Sequence, residues 1–128
     1  MTLVIAGLRP RRRCSVQVLV DTTIAVDLGV RSLGKSGPGV VYVDRALREP
    51  GEVAVGPRTH ALTRPALMVF RDEMPGANWM HPCTYALVDA ASGESVLIVS
   101  ADRPPVFGKL PDTWIVAVDP HGRADLAP

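Results

Sequence analysis

The chain has 128 residues, 47% of them hydrophobic and 21% charged, with 12 Pro and 11 Gly. This is the composition of one globular domain that buries somewhat under ~70% of its unfolded surface, and it excludes a disordered, fibrous or multidomain chain. Fourteen Lys and Arg against thirteen Asp and Glu leave a net +1, too near neutrality for a surface that follows nucleic acid or an anionic membrane throughout, so any electrostatic binding is local.

Residues 3–6, Leu-Val-Ile-Ala, read as a first short strand. The apolar run holding them precedes the basic block, the reverse of a secretory signal, and no run approaches the ~18 apolar residues of a membrane span. Next comes Arg9-Pro10-Arg11-Arg12-Arg13, followed by no acid before Asp21. Residues 14–20 read as a second strand. Residues 31–39, Arg-Ser-Leu-Gly-Lys-Ser-Gly-Pro-Gly, read as a flexible hairpin loop. Gly29, Gly34, Lys35 and Ser36 meet the bare spacing of a phosphate loop, but Gly37-Pro38-Gly39 directly after forbids the helix whose N-terminus would face the phosphates.

Residues 39–44, 52–55 and 66–70 are β-branched or apolar runs bounded by Gly, Pro and Asp, and are expected as strands. A short helix fits only around residues 45–49, because prolines interrupt nearly every longer window. Residues 85–90 and 95–100 form the clearest local pattern, two apolar runs around a polar loop in which Gly93 supplies φ > 0. Residues 113–118 are expected as the neighbour of that hairpin, reached through the stiff, exposed, proline-rich residues 103–111. Residues 121–128 carry little apolar content and are expected to fray.

The expected fold is therefore all-β and mainly antiparallel, a single β-rich domain over residues 1–128. About eight short strands form a small β-sandwich or partly open barrel with at most one short helix, since the spacings are too short for parallel crossovers.

Several groups are candidates for chemistry. In Asn78-Trp79-Met80-His81-Pro82-Cys83-Thr84-Tyr85, an extended backbone puts Trp79, His81, Cys83 and Tyr85 on one face. They either grip a ligand, or Trp, Cys and Tyr face the core while His81 bonds a carbonyl at a strand end. Nucleophilic use of Cys83 requires His81, or His60 brought near by the fold, to lower the thiol pKa. Arg11, Arg12 and Arg13 are candidates for clamping phosphate, but no aromatics interleave them for base stacking; the competing reading is a solvated turn that discourages edge aggregation. Two Cys and three His show neither Cys-x-x-Cys nor His-x-x-x-His spacing, so no metal and no cofactor is expected. No pair of carboxylates stands out. Cys14 and Cys83 are too few for a disulfide framework, which points to reduced thiols and a cytoplasmic location.

The leading expectation is a small noncatalytic module that binds a peptide or protein, in an accessory, adaptor or immunity-type role. Asn78, Trp79, His81, Tyr85 and Phe107 would provide contacts, with a strand edge supplying backbone bonds to a partner or to a second copy. The alternatives are a small enzyme using Cys83 and His81, and phosphate or nucleic acid binding through residues 9–13.

Overall fold

A computed structural model describes residues 17–34, 39–77 and 80–128. Seven strands follow one helix: α1 (Thr22–Leu33), β1 (Val40–Asp44), β2 (Gly51–Val55), β3 (Arg58–Leu62), β4 (Ala66–Asp72), β5 (Cys83–Asp89), β6 (Ser95–Ala101) and β7 (Trp114–Val118). Five strands form one antiparallel sheet in the order β6-β5-β4-β1-β7, and β2 and β3 form a separate hairpin. Among the described residues the fold is mostly antiparallel β with a single helix, consistent with a small β-sandwich, and the larger sheet ends in two edges and closes no barrel. No helix among the described residues is long and apolar enough to cross a membrane.

Alternation of side chains divides the sheet into two faces. Val41 and Val43 of β1, Leu67 and Val69 of β4, and Ala86 and Val88 of β5 turn toward α1, packing against its Ala25, Leu28 and Leu33. The opposite face presents Val40, Tyr42, Met68, Phe70, Cys83, Tyr85 and Leu87 to β2–β3, to the proline-rich loop and to the C-terminal segment. Because β1, β4 and β5 are covered on both sides, they read as continuous apolar runs rather than alternating ones.

The helix occupies residues to which the sequence reading assigned no element, and runs into the loop expected over residues 31–39. Its Thr and Val residues resemble strand formers, yet Asp21 caps it by accepting hydrogen bonds from the N–H groups of Thr23 and Ile24. Its buried positions, Ala25, Leu28, Gly29 and Leu33, recur at helical spacing. Gly29 therefore belongs to a helix, not a phosphate loop, and a Cβ there would lie 3.0 Å from that of Ala117. Residues 45–49, the expected helix, are instead extended, with bridges at Ala46 and Arg48. β3 was not anticipated, and β7 pairs with β1 on the far side of the sheet from the 85–100 hairpin.

Of the expected strands, residues 3–6 lie outside the described residues; within 14–20, the described part makes a single bridge, Leu19 to Ala46. The C-terminal segment is held in place. Ala124, Leu126 and Ala127 pack against the aromatic face, Leu110 N–H donates to the Leu126 carbonyl at 2.9 Å, and the Asp119 carboxylate accepts from the N–H groups of Arg123 and Ala124.

Candidate functional site: a cleft on the aromatic face

Tyr42, Phe70 and Tyr85 are direct cross-strand neighbours on β1, β4 and β5. Their rings lie 6.0 Å apart in a stacked pair and 5.1 Å apart in a tilted pair. Such contacts contribute about 0.5–1.5 kcal/mol each beyond area burial. The outer rings also fasten what lies above them. The Tyr42 hydroxyl accepts from Leu126 N–H at 3.1 Å, and the Tyr85 hydroxyl donates to the Arg103 carbonyl at 2.8 Å. Burial raises the pKa of both phenols, so they remain neutral hydrogen-bonding groups.

Above Tyr85 the covering segments leave a cleft of about 460 Å³. Its floor is Met68, Tyr85 and Trp114. One wall is the tip of the β2–β3 hairpin, where Gly56 has φ +58 and a Cβ would come 3.0 Å from the Tyr85 ring. Only glycine satisfies both the turn and that close approach. The other wall is Pro104 and Pro105, held down through the Tyr85–Arg103 bond. The charged residues that line it are internally compensated: Arg48 pairs with Asp44 and donates to the Ala46 carbonyl, and Arg103 pairs with Asp102. The Arg103 hydrogen bond holds the Asp102 carboxyl below its ordinary range.

Among the residues singled out from sequence, Tyr85 is part of the cleft floor. Phe107 is 82% exposed on the proline-rich loop. His81 is buried, its Nε2 2.9 Å from the Asp72 carboxylate, and its N–H donates to the Asp102 carbonyl. Burial raises the Asp72 pKa, opposed by the Met74 N–H and by His81. Asn78, Trp79 and Arg11, Arg12 and Arg13 lie outside the described residues.

Cys83 is 2% exposed, and its Sγ donates to the His81 main-chain carbonyl. Burial pushes its thiol up to about 12, with Asp72, Asp102 and Glu73 adding to the effect. The imidazole of His81 engages Asp72 rather than the sulfur. These surroundings suppress the thiolate that nucleophilic attack requires. His60 lies on β3, the outer hairpin. Among the described residues, no cluster of three or more His, Cys, Asp or Glu side chains could hold a metal ion.

Sequence reasoning passed over Met68, Trp114, Arg48, Gly56 and Pro57. The usable signal was Gly56-Pro57 between two short runs, a two-residue hairpin loop that would have revealed β3 and the cleft wall. No protein-family model matches the chain, and neither a curated protein nor a solved structure matches it.

Proposed function

We propose that this protein is a noncatalytic binding module that takes a peptide segment into the cleft above Tyr85 and acts in the cytoplasm. The observation that carries this reading is the cleft itself, about 460 Å³, lined by Met68, Tyr85, Trp114 and two prolines, with its charged lining residues already paired. That volume falls within the ~300–1,000 Å³ of small-ligand sites and suits an apolar side chain offered by a partner, with rim dipoles fixing the peptide backbone. Lining charges that are already paired favour a largely uncharged segment over an acidic or basic one.

Selection of a random-peptide display library on the immobilised protein tests this, followed by calorimetry of the enriched peptides. Ala54 is an exposed cleft residue on β2, and Ala54→Trp fills the space without touching the core. The expected result is enrichment of peptides with a bulky apolar residue, whose binding Ala54→Trp weakens about tenfold or more. No enrichment, or binding indifferent to the filled cleft, would overturn the reading.

A further inference from the structure

The two edges of the large sheet are unlike. β7 is five residues long, lies under α1, and has no exposed residue. β6 is seven residues long, carries no charge and no proline, and among the described residues pairs with β5 alone. It also exposes apolar side chains, Val96 at 45% and Ile98 at 54%. Ile98 sits opposite Ala86 and so belongs to the helix-side face, which α1 covers over β7, β1, β4 and β5. Edge strands are ordinarily protected by charge, proline, brevity or a cover. β6 shows none of these among the described residues.

The direction of its backbone groups follows from the turn. Asp89 N–H donates to the Glu94 carbonyl, so Asp89 and alternate residues before it on β5 turn their polar groups toward β6. Their partners Leu97, Val99 and Ala101 face inward. Ile98 and Ser100 therefore point N–H and C=O away from the sheet, while Val96 is the extra residue at the register shift.

We propose that β6 pairs with β6 of a second copy of this chain, antiparallel about a two-fold axis at Ile98, to give a continuous sheet across the dimer. In this register Ile98 meets Ile98 of the partner subunit, and Ser100 lies opposite the partner's Val96. The outward N–H and C=O of Ile98 meet those of the partner's Ile98, and the apolar side chains left uncovered by α1 shield one another. The strand is uncharged, so the copies meet without repulsion along its length. At its ends, Glu94 of one copy approaches the partner's Asp102 and the partner's Arg103, an already paired neutral couple. A foreign strand would make the same backbone bonds, but only a second copy offers this symmetric set of side chains.

Sedimentation velocity of the full chain over a dilution series, with amide hydrogen exchange at matched concentrations, tests the proposal. The expected result is a reversible dimer in which exchange at Ile98 and Ser100 slows as concentration rises. Ile98→Lys, at an exposed position, should raise the dimer dissociation constant about tenfold or more with an unchanged circular dichroism spectrum. Ser100→Pro, which removes an outward donor, should act likewise. Ala54→Trp should leave dimerisation intact, separating this surface from the cleft. A monomer at every concentration would overturn the proposal. So would Ile98 and Ser100 amides protected equally at all dilutions, the signature of another segment of the same chain on this edge. A dimer undiminished in both edge variants would also overturn it.

Discussion

The two faces of the five-stranded sheet are covered in different ways, and the difference accounts for where a cleft is left. On one face a regular twelve-residue helix lies on aliphatic side chains, brought so close at Gly29 that Ala117 would be touched by a single added carbon. On the other, large rings are covered piecemeal by a hairpin tip, a proline-rich loop and a C-terminal strap, the loop fastened by the Tyr85 hydroxyl and the strap by the Tyr42 hydroxyl. A helix with a small-residue stripe packs flush against a pleated surface. Irregular segments that cannot bend freely meet over bulky rings and leave a gap.

The contrast is broken most severely by removing the central ring. Phe70→Ala deletes the side chain between Tyr42 and Tyr85 and should cost about 3–5 kcal/mol in urea unfolding, with both tyrosines losing their stacking partner. A loss of under about 1 kcal/mol would mean that the aromatic face is not the principal core. Filling each face sharpens the comparison next. Gly29→Leu should destabilise by about 1–3 kcal/mol because the helix must lift from β1 and β7. Ala54→Trp on the cleft side should stay within about 0.5 kcal/mol of the parent. Equal penalties in chemical denaturation would show that the two faces are packed alike.

A smaller effect isolates the fastening of the cleft wall. Tyr85→Phe retains the ring and removes its hydrogen bond to the Arg103 carbonyl, lowering stability by about 0.5–1.5 kcal/mol. Exchange should quicken at the amides of Arg103, Val106 and Phe107 while α1 is unaffected; unchanged exchange there would detach Tyr85 from control of the wall.

The most delicate test lies on the helix side, at the β5–β6 turn. Asp89 accepts from the N–H groups of Ala91 and Ser92 and pairs with Arg64. The Ser92 N–H and Arg64 are the leading causes that lower its carboxyl to about 2. A carboxylate depressed on folding stabilises above its unfolded pKa of about 3.9 and loses that contribution as pH falls through the folded value. Asp89→Asn should therefore be less stable than the parent at neutral pH, the gap narrowing as pH drops from about 4 toward 2. A gap independent of pH would remove ionisation from the account.

Much of this architecture is readable from the sequence where local chemistry and tertiary fate coincide. The 85–100 hairpin is legible because two apolar runs flank Gly93, whose φ of +77 the turn requires. α1 is hidden because β-branched Thr22, Thr23, Ile24, Val26 and Val30 raise strand propensity while the Asp21 cap and a partly apolar stripe are short-range and weak. β3 is hidden by its largely exposed, polar residues, which pair with β2 while Leu62 alone of the strand is buried in the core. The proline-rich loop is expected to be exposed, yet Pro104 and Leu110 are buried, and nothing local says that Pro104 and Pro105 descend beside Trp114 and Tyr85. That placement depends on one long-range bond from a phenol to a carbonyl.

The most direct measurement is a heteronuclear NMR titration of the full chain with a peptide selected on it. Binding in the cleft should shift the amides of Ala54, Gly56 and Arg103 and the indole of Trp114 together, leaving the α1 amides unmoved. Shifts centred on α1, or none at the cleft when peptide binds, would contradict the assignment of this face as the binding surface.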